Sequence, residues 1–123
     1  MKEKRILVVE DNPSLLMGIQ GVLEVEGYIV STATNGKEAL EELAVARPDL
    51  IVADIMMPVM DGYETTKRIR AQQEFSSLPI LALTAKAMKG DREKCLQAGA
   101  NDYLSKPIDV DRLFSMLRVW LYQ

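Results

Sequence analysis

Five residues able to do chemistry stand at the ends of apolar runs. Glu10 and Asp11 close "RILVVED", Asp54 closes "DLIVAD", Thr84 closes "LPILALT", and Lys106 follows "DYLS". The chain has no histidine, which removes histidine-based triads and imidazole metal sites. Its single cysteine, Cys95, can form no internal disulfide and has no imidazole base, so a buried or incidental thiol is expected. Chemistry must therefore come from carboxylates, hydroxyls and lysines. Three carboxylates held together repel and need a cation. Oxygen-only donors select a hard ion, Mg²⁺ or Ca²⁺. No EF-hand loop pattern favours a calcium cage, whereas Mg²⁺ takes one or two carboxylates with waters and phosphate oxygens. Such a site, with a hydroxyl and a lysine, suits phosphoryl chemistry. Metal and lysine balance phosphoryl charge, the hydroxyl donates to an oxygen, and one Asp can be the nucleophile.

These residues can act together only if the elements bring their ends to one place. "RILVVE" (5–10), "YIVSTA" (28–33), "DLIVAD" (49–54), "LPILALT" (78–84) and "DYLS" (102–105) read as strands. Helical patterns alternate with them. Asn12-Pro13 caps the first, with Leu15, Leu16, Ile19, Val22 and Leu23 on one face and Gly27 as its stop. Asn35-Gly36 opens the second, which bears Ala39, Leu40 and Leu43 and ends before Pro48. Asp61 caps a third helix through about Gln73, with Tyr63, Thr66 and Ile69 inward. A mostly polar fourth spans 88–98 and ends at Gly99. A fifth starts at Asp109, with Val110, Leu113, Phe114, Leu117 and Leu121 inward and Met116, Trp120 and Tyr122 off that stripe.

Five βα units imply a parallel sheet covered on both faces. Right-handed crossovers put all the strand C-termini on one edge, where such sheets bind ligands. Alone, Asp54 would read as a cap or solvated acid, Lys106 as a surface lysine, and Thr84 as a routine strand residue. Their joint placement at strand ends sets those readings aside; Asp61 remains a cap.

The 123 residues suit one domain with its own core. A net charge of −3 argues against direct nucleic-acid binding. No apolar run approaches the ~18 residues of a membrane span, and "MKEKRILVVEDN" does not fit a signal peptide. No G-x-G-x-x-G or G-x-x-x-x-G-K-[ST] follows a strand, which disfavours a nucleotide or flavin binder.

"VVEDN", "VADIMMPVMDG", "LALTA" and "YLSKP" occur in the order and spacing of response-regulator receiver domains, which the whole chain resembles. The tract "LTAKAMKGDREKCLQAGANDYLSKP" is most similar to receivers of hybrid sensor kinases. The resemblance implies a flavodoxin-like doubly wound (βα)5 fold, strand order 2-1-3-4-5, with residues 1–123 as one receiver domain. It implies Asp54 as phosphoacceptor and Asp11 and Asp54 as direct Mg²⁺ ligands, with Mn²⁺ the alternative ion. Glu10 would act through a water, and the Met56 carbonyl would complete the protein ligands. Lys106 would pair with the phosphoryl group, Thr84 would hydrogen-bond it, and Tyr103 would be the switch aromatic. Pro107 falls where the family's bond is cis. Met56 and Lys86 would flank the path of the hydrolytic water.

The implied function is a phosphorylation-dependent switch, an enzyme only toward its own phosphorylation and hydrolysis. Its partners would be a histidine kinase or histidine phosphotransfer domain and a downstream effector, with phosphorylation-dependent dimerisation and a cytoplasmic location. The fourth helix has few apolar anchors (Met88, Cys95, Leu96 and Ala98), so it and Tyr103 are the expected moving face. An aspartyl-nucleophile phosphatase is disfavoured because Met56 stands where such enzymes carry a second Asp. A phosphorylation-independent interaction domain is the remaining alternative.

Overall fold

The computed structural model describes residues 3–55, 61–84 and 91–122. Its elements are β1 (Arg5–Val9), α1 (Pro13–Val25), β2 (Ile29–Ala33), α2 (Gly36–Val45), β3 (Leu50–Asp54) and α3 (Gly62–Arg70). A 3₁₀ turn (Gln73–Phe75), β4 (Ile80–Thr84), α4 (Asp91–Ala98), β5 (Asp102–Ser105) and α5 (Val110–Leu121) follow. The strands pair in parallel in the order β2-β1-β3-β4-β5, the flavodoxin-like arrangement.

Strand alternation explains the continuous apolar runs. Ile6, Val8, Leu50, Val52, Leu81 and Leu83 pack with Ile19 and Leu23 of α1 and Leu113 and Leu117 of α5. Leu7, Val9, Ile51, Ala53, Ile80 and Ala82 pack on the other face with Ala39, Leu43, Ile69 and Cys95 from α2, α3 and α4. Every position of β3 and β4 is buried, so neither strand has room for a polar face. Each large apolar side chain so placed contributes about 1.5–3 kcal/mol of transfer free energy.

The helix starts follow their capping residues. Asn12, Asn35 and Asp61 accept from the backbone N–H groups of Leu15, Glu38 and Glu64, and Asp109 accepts from those of Asp111 and Arg112. Gly27, at φ +95°, supplies the left-handed turn after α1. Asp61 is thus a cap, as read from the sequence.

Two details differ from the sequence reading, and one falls outside the described residues. α3 stops at Arg70 rather than near Gln73, and the 3₁₀ turn that follows buries Phe75. α5 is rotated: Met116 is buried and Trp120 is half-buried against the core, whereas Val110 is substantially exposed. α4 begins at Asp91 among the described residues; Met88, placed on this helix from the sequence, lies outside them. Among the described residues no helix is long and apolar enough to cross a membrane.

Candidate functional site

Register brings the acidic residues together. Val9 of β1 pairs with Ala53 of β3, so one residue further on Glu10 and Asp54 leave adjacent central strands side by side. Both continue the parity of Val8 and Val52, toward the α1 and α5 layer. Asp11 follows Glu10 on the loop into α1 and is exposed. One oxygen from each of Glu10, Asp11 and Asp54 lies within 4.8 Å of the others.

Lys106 is delivered by the last strand. Thr84 pairs with Ser105, and the Lys106 N–H donates to the Thr84 carbonyl at 2.7 Å. The Lys106–Pro107 peptide bond is cis. From there Lys106 Nζ donates to Asp54 Oδ2 at 3.0 Å and lies 3.0 Å from Glu10 Oε1. The second contact is an ion pair without hydrogen-bond alignment, since Glu10 Oε1 has no aligned donor among the described residues. The other Glu10 oxygen, Oε2, accepts from the Asn12 N–H at 3.0 Å.

Glu10 is 0% exposed and Asp54 1% exposed, so this is buried charge with one lysine set against two acids. Burial pushes the Glu10 carboxyl above its usual range, and Asp54 adds to the rise; the Asn12 N–H and Lys106 offset part of it. Burial alone would pull Lys106 down. Its hydrogen bond to Asp54 and its ion pair with Glu10 outweigh that and hold it above the usual lysine range. Thr84, 4% exposed, has a buried hydroxyl with no hydrogen-bond partner among the described residues. A buried polar group left so requires a reason, and a ligand oxygen at the strand edge is one.

A hard cation fits this donor set. The oxygens are all carboxylate, two of the three groups are buried, and their negative charge exceeds what Lys106 can balance. Tyr103 pairs with Ala82 through the backbone and packs, partly buried, against the α2–α4 side of the core. Met56 and Lys86 lie outside the described residues.

Two features escaped the sequence reading. Gly62 opens α3 against the end of β3: a Cβ there would come within 2.6 Å of Ile55 Cα and collide with the Asp54 carbonyl. Only glycine lets the helix start so close behind the candidate acceptor. The Asp-Gly pair was read as a helix start, and no local signal marks the steric need. The second feature is Arg70, at the opposite edge of the sheet. Its guanidinium donates to the carbonyls of Gly99 (2.8 Å) and Phe75 (2.7 Å) and to Asn101 Oδ1 (2.8 Å). Asn101 Oδ1 also accepts from the Ile80 N–H at 2.9 Å, tying the start of β4 to the turn before β5.

A cavity of about 460 Å³ lies elsewhere, between α1 and α5, lined by Met17, Val22, Val25 and Phe114 among others. It lacks converging polar groups, so the chemistry belongs to the strand edge and not to this hollow.

Known proteins share this fold. The response regulator receiver domain model matches residues 6–118. The chain is 39% identical over 118 residues to the polar-differentiation response regulator DivK of Brucella anthropi, covering 96% of each protein. The receiver domain of the sensor histidine kinase PA1611 from Pseudomonas aeruginosa, solved with magnesium in its active-site cleft, is similar at a TM-score of 0.91. Its identity is 43%, covering 99% of this chain and 100% of that one. The Saccharomyces cerevisiae receiver domain of Ssk1, co-crystallised with the histidine phosphotransfer protein Ypd1, aligns with a TM-score of 0.86 and 31% identity, covering 96% of this chain and 88% of that one.

Proposed function

The chain belongs to the response regulator receiver family of two-component signalling, and from that premise we propose that it is a switch whose phosphoacceptor is Asp54. The observation that carries the assignment is the setting of Asp54: a buried carboxylate at a strand end, 3.0 Å from Lys106 Nζ, in a cluster with Glu10 and Asp11.

An Asp54 oxygen attacks the phosphorus of a phosphohistidine. The P–O bond forms as the P–N bond breaks, and the imidazole nitrogen leaves with the electron pair. Without histidine, this chain is the acceptor and the donor is another domain, a histidine kinase or a histidine phosphotransfer protein. The Ypd1–Ssk1 complex of the yeast neighbour supports the second kind of partner. Asp11 and Asp54 would hold Mg²⁺ directly, with the Met56 carbonyl and with Glu10 through a water. The ion supplies positive charge for the phosphoryl oxygens. The magnesium of the PA1611 receiver favours this ion over Mn²⁺.

Lys106 balances the remaining phosphoryl charge, and the buried Thr84 hydroxyl donates to a phosphoryl oxygen. Thr84 and Tyr103 then bias a two-state surface around α4, β5 and α5 that controls an effector or a dimer. Chemistry is confined to the domain's own phosphorylation and hydrolysis, residues 1–123 form one receiver unit, and the protein works in the cytoplasm, where its donors are. Met56 and Lys86 tune hydrolysis. Apolar Met56 cannot orient the attacking water, so Met56→Asn is expected to change the dephosphorylation rate, measured by loss of the phosphoryl mass.

Intact mass after incubation with acetyl phosphate tests the assignment. A single phosphoryl adduct that requires both Mg²⁺ and Asp54, and is lost in Asp54→Asn, is the expected result. An adduct that survives Asp54→Asn would place the acceptor elsewhere. If no adduct forms, beryllofluoride with Mg²⁺ decides, since failure to bind it as well would overturn the switch.

A further inference from the structure

α3 and α4 lie side by side and enclose a cleft of about 310 Å³, lined by Tyr63, Lys67, Lys94, Gln97 and Ala98. Helical spacing puts these residues there: Tyr63 and Lys67 are four apart on α3, and Lys94, Gln97 and Ala98 are three and four apart on α4. Both lysines are exposed, while Ala98 is buried and Tyr63 partly so. The floor is therefore apolar and the rim cationic.

α3 carries Lys67, Arg68 and Arg70 in its last turn. Arg68 is paired with Glu64 at 3.0 Å, and Arg70 is committed to Gly99, Phe75 and Asn101. Among the described residues Lys67 has no carboxylate within ion-pair distance, and neither has Lys94 across the cleft. Two ammonium groups with no ion-pair partner among the described residues line one hollow in a chain whose net charge is −3. Such a local field selects an anionic occupant whatever the overall charge.

The hollow is larger than a lone phosphate or carboxylate needs and is open to solvent, and its rim donors sit on flexible stems. We propose that this cleft is a second binding site, separate from the acidic edge, for an acidic segment of a partner protein. Its carboxylates pair with Lys67 and Lys94, Gln97 donates an amide hydrogen, and an adjoining apolar side chain rests on Tyr63 and Ala98.

The test is a titration of the ¹⁵N-labelled, unphosphorylated protein with the acetylated, amidated peptide EDLFDE, followed by amide chemical shifts. Because no phosphoryl group is used, the outcome is independent of the role assigned to Asp54. Saturable shifts centred on Tyr63, Lys67, Lys94 and Gln97 are expected. Lys67→Glu with Lys94→Glu should raise Kd about tenfold or more, Lys67→Gln with Lys94→Gln should raise it less, and Lys37→Glu on α2 should leave it unchanged. Undisturbed β-sheet amide shifts in the variants would certify their fold. Absence of saturable shifts, or shifts that persist after charge reversal, would overturn the proposal. Inorganic phosphate producing the same saturation as the peptide would overturn it too, since the cleft would then be a small-anion site only.

Discussion

At the edge where the strands begin, Arg70 meets three acceptors at 2.7–2.8 Å, and one of them, Asn101 Oδ1, is shared with the Ile80 N–H. At the edge where the strands end, Lys106 is set against two almost fully buried carboxylates, with Asp11 close by and the Thr84 hydroxyl unpartnered among the described residues. The same fold thus contains two partly buried cations in opposite conditions. Arg70 completes its surroundings; among the described residues Lys106 faces more negative charge than it carries. Burial draws the Arg70 pKa down, yet a guanidinium stays charged, so this cation cannot escape by losing its proton. The difference separates a structural knot from a site: where polar groups are satisfied they fasten elements together, and where they are not, a ligand completes them.

The contrast can be broken most forcefully at the knot. Arg70→Met removes three charge-assisted hydrogen bonds and should destabilise the fold by about 2–4 kcal/mol, lowering the melting temperature by roughly 10 °C, while phosphorylation from acetyl phosphate persists at lower temperature. A melting temperature within about 2 °C of wild type would mean that the knot is ornamental. Gly99→Ala strikes the same place from the backbone. Gly99 has φ +117°, and a Cβ there would lie 2.6 Å from Arg70 Cγ. A loss of about 1–3 kcal/mol in denaturant unfolding is expected.

At the other edge the sign reverses. Glu10→Gln removes a buried negative charge and leaves Lys106 its Asp54 partner, so the metal-free protein should gain about 1 kcal/mol or less. Its stabilisation by Mg²⁺ should shrink at the same time. Smallest of all is the exposed Arg68–Glu64 pair: Glu64→Ala should change stability by under about 0.5 kcal/mol in urea titrations.

Much of this was legible because the informative residues sit where local pattern and topology agree. β3 and β4 announce themselves as continuous apolar runs since both faces are buried. Glu10, Asp54, Thr84 and Lys106 stand out because each interrupts or follows such a run, and parallel order does the rest. Arg70 was not legible. Two of its partners lie 29 and 31 residues further along the chain, so nothing near it shows why α3 stops there. Gly62 was hidden for a similar reason, its neighbour being the backbone of another strand. The rotation of α5, which buries Met116 and exposes Val110, is set by packing against the sheet and not by the helix's own period.

The most direct test of the contrast is thermal unfolding of wild type, Glu10→Gln and Arg70→Met, each with and without Mg²⁺. A ligand that binds only the folded state at a hundred times its Kd adds about 2.7 kcal/mol. Wild type and Arg70→Met should both rise with Mg²⁺ by similar amounts from different starting points, and Glu10→Gln should start at or above wild type and rise less. Equal Mg²⁺ responses in wild type and Glu10→Gln, with a lower metal-free stability for the variant, would contradict the account by making Glu10 a structural partner of Lys106 and nothing more.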